Sequence, residues 1–156
     1  MMPTKRAMRL FGAVSTDKGK SFSKPIRVGP PGLIEAWDSK IDVGDTGKIA
    51  LAYIGSTTSP GKDPSTGVGP EYTMDVSWNG YITTSVNATS KNIRLRTTSV
   101  NPLSDPIERG ECCEAQGDFI DVVIGPGGRP WTSMIDACWP PPGDACDPLA
   151  AFIGTV

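Results

Sequence analysis

The sequence predicts an all-β fold. Three observations carry that reading. No segment keeps helical periodicity over three turns. Short alternating runs are broken at regular intervals by Gly, Pro, Asn and Ser. Gly (18) and Pro (15) together make up about a fifth of the 156 residues, which implies many turns without reaching a disordered composition.

Residues 8–14 read as a strand and 15–22 as a polar turn. Residues 23–28 alternate as a second strand, so the stretch is a hairpin. Gly29-Pro30-Pro31-Gly32 ends that unit. Residues 37–43 form a strand, Gly44-Asp45-Thr46-Gly47 a turn, and 48–54 a largely buried strand. Residues 56–70 are a long loop rich in Ser, Thr, Gly and Pro. Residues 74–78 and 81–86 are strands around Asn79-Gly80, a type I′ hairpin signal. Residues 93–100 alternate as another strand. Residues 104–117 are irregular, with at most a helical turn. Residues 118–124 and 130–137 are strands around Gly125-Pro126-Gly127-Gly128, and 149–156 is a final strand.

An internal repeat organises these elements. Ile41-Asp42-Val43, a turn and Lys48 resemble Ile120-Asp121-Val122, a turn and Arg129. Each pair of strands would be the inner half of a four-stranded unit. Repetition of such units is the pattern of propeller blades. The segment 1–32 then supplies outer strands of one blade, 33–103 a second blade with an inserted loop, and 104–156 a third, incomplete blade.

Ser15-Thr16-Asp17-Lys18-Gly19-Lys20-Ser21-Phe22 fits the pattern Ser-x-Asp-x-Gly-x-x-aromatic. A short Asp accepts hydrogen bonds from turn N–H groups. Gly19 can take a positive φ, and Phe22 is expected to fold back beneath the hairpin. On this motif, with Leu51-Ala52-Tyr53, residues 78–82, residues 117–121 and Gly128-Arg129-Pro130-Trp131, the chain resembles the sialidase-like, neuraminidase-repeat (Asp-box) β-propellers. It is similar to their C-terminal blades. The resemblance implies a partial propeller of about three four-stranded antiparallel blades, with Ser15, Asp17, Gly19 and Phe22 as a structural box far from any substrate. A second box would fall near residues 87–93, where the pattern is lost.

The resemblance also implies an extracellular, glycan-directed protein of the glycoside hydrolase superfamily. Sialidases grip a carboxylate with three arginines and use a Tyr–Glu nucleophile pair and an Asp acid. The Arg-Ile-Pro motif that carries the first arginine is missing. The chain alone is therefore expected to be catalytically incomplete. Alternatives are a non-catalytic binding or scaffold propeller, and an oligomeric lectin-like ring. Three blades cannot close, so either further N-terminal blades or further copies complete the structure.

Asp42, Asp118 and Asp121 lie on expected inner strands and are the candidate functional carboxylates; turn capping is their bland alternative. Tyr81 is a candidate nucleophile or sugar-stacking residue, against a role in core packing. Arg27, Arg94, Arg96, Arg109 and Arg129 match no motif. Arg94 and Arg96 share one strand face and read as solvated. Trp37, Trp78, Trp131 and Trp139 suit sugar stacking or a blade core equally. Asn87-Ala88-Thr89 fits the N-glycosylation acceptor.

Histidine is absent, which excludes His-dependent triads and the usual zinc hydrolase sites within this chain. No metal or cofactor is expected. Cys112, Cys113, Cys138 and Cys146 are disulfide candidates: Cys138 with Cys146, or either with the adjacent pair. Free thiols in a cytosolic protein are the alternative. A net charge of −2 without a basic block gives no pull towards nucleic acid. Apolar runs are too short for a membrane helix. The run after Arg9 is too short for a signal peptide, so a secreted or cell-surface address would come from sequence upstream.

Overall fold

The structure, a computed structural model, describes residues 9–57, 76–109 and 120–136. It is all-β, with antiparallel sheets and no α-helix among the described residues. β1 (Phe11–Gly12) pairs with β2 (Ile26–Arg27). β3 (Glu35–Val43), β4 (Ile49–Ser56), β5 (Ser77–Ser85) and β6 (Arg96–Ser99) form a sheet in that order. β7 (Glu108–Arg109) adds to β5. β8 (Asp121–Ile124) and β9 (Pro130–Ser133) form a separate hairpin.

The central sheet is covered on both faces. That is why β4 reads as an unbroken apolar run rather than an alternating one. Ala50, Ala52 and Ile54 point to one side, where Trp78, Ile82, Ile107, Ile120, Val122 and Met134 complete a core. Leu51 and Tyr53 point to the other, where Tyr81, Val28 and Leu33 form a second core, with Leu10 packed against it. The β8–β9 hairpin thus packs on one face and the β1–β2 segment on the opposite one. The result is three stacked layers. The sheet of the middle layer is open.

Asn79-Gly80 departs from the expected hairpin turn. These residues do not turn. They lie inside β5, paired with Gly55 and Ile54 of β4. The Gly80 carbonyl accepts from Val100 N at 2.9 Å, and the Gly80 N–H donates to the Asn101 side chain at 2.9 Å. Bonds on both edges hold the pair extended, so tertiary packing overrides a local turn preference. Gly80 is required for space instead: a Cβ there would collide with Met134 Sδ and Val100 Cγ2.

Other elements shift less. β1 and β2 are shorter than the alternating runs that announce them. The segment expected to be irregular contributes β7. A bulge separates Trp37 from Lys40, where Asp38 has φ of +48°. The expected 149–156 strand, most of the 56–70 loop and the four cysteines lie outside the described residues.

The internal repeat is present but in a different register. Gly44 N donates to Lys48 O at 3.1 Å, and Gly125 N donates to Arg129 O at 2.8 Å. Gly47 and Gly128 hold φ of +83° and +77° in the two turns. Gly44 therefore matches Gly125, and Ile41 and Val43 match Val122 and Ile124. The sequence pairing of Ile41 with Ile120 is slipped by two residues. Such a slip preserves the inward and outward faces of a strand, so the apolar pattern is alike in both registers.

Candidate functional site

The corner at residues 15–22 joins β1 to β2. Asp17 organises it: Ser21 N and Ser21 Oγ donate to its carboxylate at 2.9 and 2.6 Å, and Ser15 Oγ donates at 2.8 Å. These bonds hold its carboxyl at about 2, well below the usual carboxylate range. Gly19 N donates to Ser15 Oγ at 2.7 Å, and Gly19 has φ of +83°. Phe22 departs from expectation: it is 66% exposed and does not pack beneath the hairpin.

A second corner of the same construction joins β5 to β6. Ser85 Oγ donates to Asn87 Oδ1 at 3.1 Å, and Asn87 N donates back to Ser85 Oγ at 3.1 Å. Arg94 N donates to the same Oδ1 at 2.9 Å. Ser85 stands to Asn87 as Ser15 stands to Asp17. Extra residues in the corner and Asn in place of Asp hid it from a pattern search.

Beside this second corner the molecule presents a groove of about 700 Å³. Its cations are Lys48 from the turn before β4, Lys91 and Arg94 from the corner, and Arg96 from β6. Asn87, Ser90 and Asn92 add neutral polar groups, and Ile124 and Pro130 of the β8–β9 hairpin close the far side. Among the described residues no acidic side chain lines it. Lys48 is bonded to Asp45 at 2.9 Å outside the groove, leaving Lys91, Arg94 and Arg96 without an acidic neighbour among its walls. Such a surface attracts an anion, and the arginines offer paired donors to a carboxylate or sulfate. Sequence reasoning noticed Arg94 and Arg96 but not their convergence with Lys48 and Lys91, because the fold alone brings those segments together.

The other sequence-derived candidates do not converge. Asp42 Oδ2 accepts from Ile124 N at 2.6 Å, tying the end of β3 to the end of β8. Asp121 is exposed and accepts from the adjacent Val122 N at 2.8 Å. Tyr81 is 3% exposed and stacks on Tyr53, ring centroids 5.7 Å apart. Burial raises both phenols, so neither ionises readily. Tyr81 is paired with Tyr53, and Asp42 with Ala50, on opposite faces of the sheet. A phenol and a carboxylate so placed cannot exchange a proton directly. Asp118 and Trp139 lie outside the described residues, as do Cys112, Cys113, Cys138 and Cys146. Trp78 is wholly buried and Trp37 packs against the core, whereas Trp131 is 39% exposed. Glu35 and Glu108, which the sequence did not single out, are buried carboxylates engaged by other groups of the protein.

Among the described residues no cluster of side chains suits a metal ion, and no helix is long and apolar enough to cross a membrane. Compared with known proteins, the chain matches no family model, no curated protein and no solved structure.

Proposed function

We propose that the three layers are successive blades of a radial β-propeller of the sialidase-like, Asp-box kind, and that the groove between them binds an acidic glycan without cleaving it. Two observations support the blade reading. The Ser15–Asp17 corner recurs as Ser85–Asn87, each time joining the last two strands of a layer. The Gly44–Lys48 turn recurs as Gly125–Arg129, each time joining the first two. The middle layer carries both devices and shares one with each neighbouring layer, as successive units of a radial fold would.

The binding reading rests on one observation: among the described residues, four cations and no carboxylate line a groove that also offers amides and hydroxyls. Sugar hydroxyls suit the amides, and a carboxylate or sulfate substituent suits the guanidinium groups. Of the described candidates, Tyr81 is buried on the far side of the sheet from Asp42, which favours binding over hydrolysis. An extracellular setting, drawn from the even cysteine count, is part of the same proposal.

Calorimetry of the purified chain with sialyllactose, a heparin-derived hexasaccharide and neutral lactose tests it. At least one acidic sugar binds, lactose does not, and salt weakens the complex. Replacing Arg94 and Arg96 with Gln lowers affinity on the order of tenfold or more. Absence of affinity for every acidic sugar sinks the binding reading. Turnover of a fluorogenic sialoside would overturn the non-catalytic one.

A further inference from the structure

Superposing the Gly44–Lys48 turn on the Gly125–Arg129 turn makes Ile41 the counterpart of Val122 and Val43 that of Ile124. Val122 is 6% exposed and Ile124 half-buried, because both pack on the central sheet. Ile41 and Val43 are 62% and 65% exposed. Positions that are covered in one hairpin are therefore bare in the other.

The covering surface can be identified. Val122 and Ile124 lie against the Asp42 and Ala50 face of β3–β4, as the Asp42 to Ile124 bond shows. In the repeat, Asp42 corresponds to Val123 and Ala50 to Trp131. Those two residues form a cross-strand pair on the outward face of β8–β9, and are 52% and 39% exposed. The chain thus carries a bare apolar surface and, elsewhere, the counterpart of the surface that covers its equivalent. The two cannot meet within one chain, since β8–β9 already packs on the opposite face of β3–β4.

We propose that Ile41 and Val43 at the end of β3 dock the Val123–Trp131 face of the β8–β9 hairpin of a second copy of this chain. The contact continues between chains the packing that β3 and β8 make within one. A groove of about 340 Å³ beside Ile41 and Val43, lined also by Val14, Ile26, Leu51 and Leu95, is an apolar seat for the Trp131 indole. The two surfaces are different, so the association is head-to-tail and extends beyond a dimer unless it closes on itself. It does not depend on what the cationic groove binds.

Sedimentation velocity of the 156-residue chain over a wide concentration range provides the test. The mass rises with concentration past that of a dimer. Ile41→Glu and Trp131→Glu each hold the chain monomeric. An equal mixture of the two variants forms dimers and stops there, because each retains the face that the other lacks. Val43→Glu and Val123→Glu repeat the test at the same two faces, with far-UV circular dichroism as the check of folding. A wild-type chain that stays monomeric throughout overturns the proposal. So does a mixture of folded variants that stays monomeric while the wild type assembles.

Discussion

The side-chain amide of Asn101 donates to Oδ1 of Asn79 at 2.9 Å, inside the sheet and 4% exposed at both ends. The same amide reaches Pro102 O at 3.0 Å and Asp105 O at 2.8 Å, and its carbonyl oxygen accepts from Gly80 N. One side chain thus fixes the middle of β5 and the loop after β6. Asn101→Asp keeps the acceptor for Gly80 but sets a carboxylate oxygen against three oxygens. Leaving buried polar groups unpaired costs on the order of 3 kcal/mol here. Urea denaturation would show it as a lower midpoint at unchanged slope.

Gly80 is held by contact rather than by conformation. Gly80→Ala forces its methyl into Met134 Sδ and Val100 Cγ2. Met134 can yield, but the β-branched Val100 cannot easily do so. Overpacking of this kind costs about 1–3 kcal/mol. Thermal melts of Gly80→Ala and of Gly80→Ala with Val100→Ala distinguish the cause. Truncating Val100 recovers part of the loss if crowding is responsible, and deepens it if it is not.

Much of the fold is legible in the sequence where local and global demands agree. β4 is an apolar run because both its faces are buried, and its length marks it as a strand. The Ser15–Asp17 corner is legible because its bonds are all local. Asn79-Gly80 misleads because its partners, Gly55 and Asn101, are remote in sequence. The groove is less legible still. Lys48 comes from the turn before β4, Lys91 and Arg94 from the β5–β6 corner and Arg96 from β6, and no spacing relates Lys48 to the other three. The second corner is hidden because Asn87 replaces an Asp and its closing bond comes from Arg94.

Asp17 makes the first corner sensitive to acid. Its carboxyl titrates near 2, below the usual 3.8, because Ser21 and Ser15 bond the charged form. A depressed folded value means that the contribution is complete above the unfolded value and is lost as pH falls towards 2. Melting temperatures of the wild type and of Asp17→Asn therefore differ at neutral pH and converge between about pH 4 and pH 2. A gap unchanged at the acidic end would assign the effect to something other than this ionisation.

The acceptor triplet Asn87-Ala88-Thr89 can be destroyed in two ways that the second corner treats very differently. Asn87 donates to Ser90 Oγ at 3.2 Å and to Asn92 O at 3.0 Å, while its carbonyl oxygen serves Ser85 and Arg94. Asn87→Gln displaces the amide by one methylene and breaks this set, at a cost of about 1–2 kcal/mol. Thr89 is exposed, so Thr89→Ala is close to neutral. Chains made in bacteria, where no glycan complicates the comparison, should show the lower melting temperature for Asn87→Gln alone. Equal melting temperatures would mean that the Asn87 bonds contribute nothing to holding β5 and β6 together. The likeness between the two corners, which rests on those bonds, would then be a likeness of shape only.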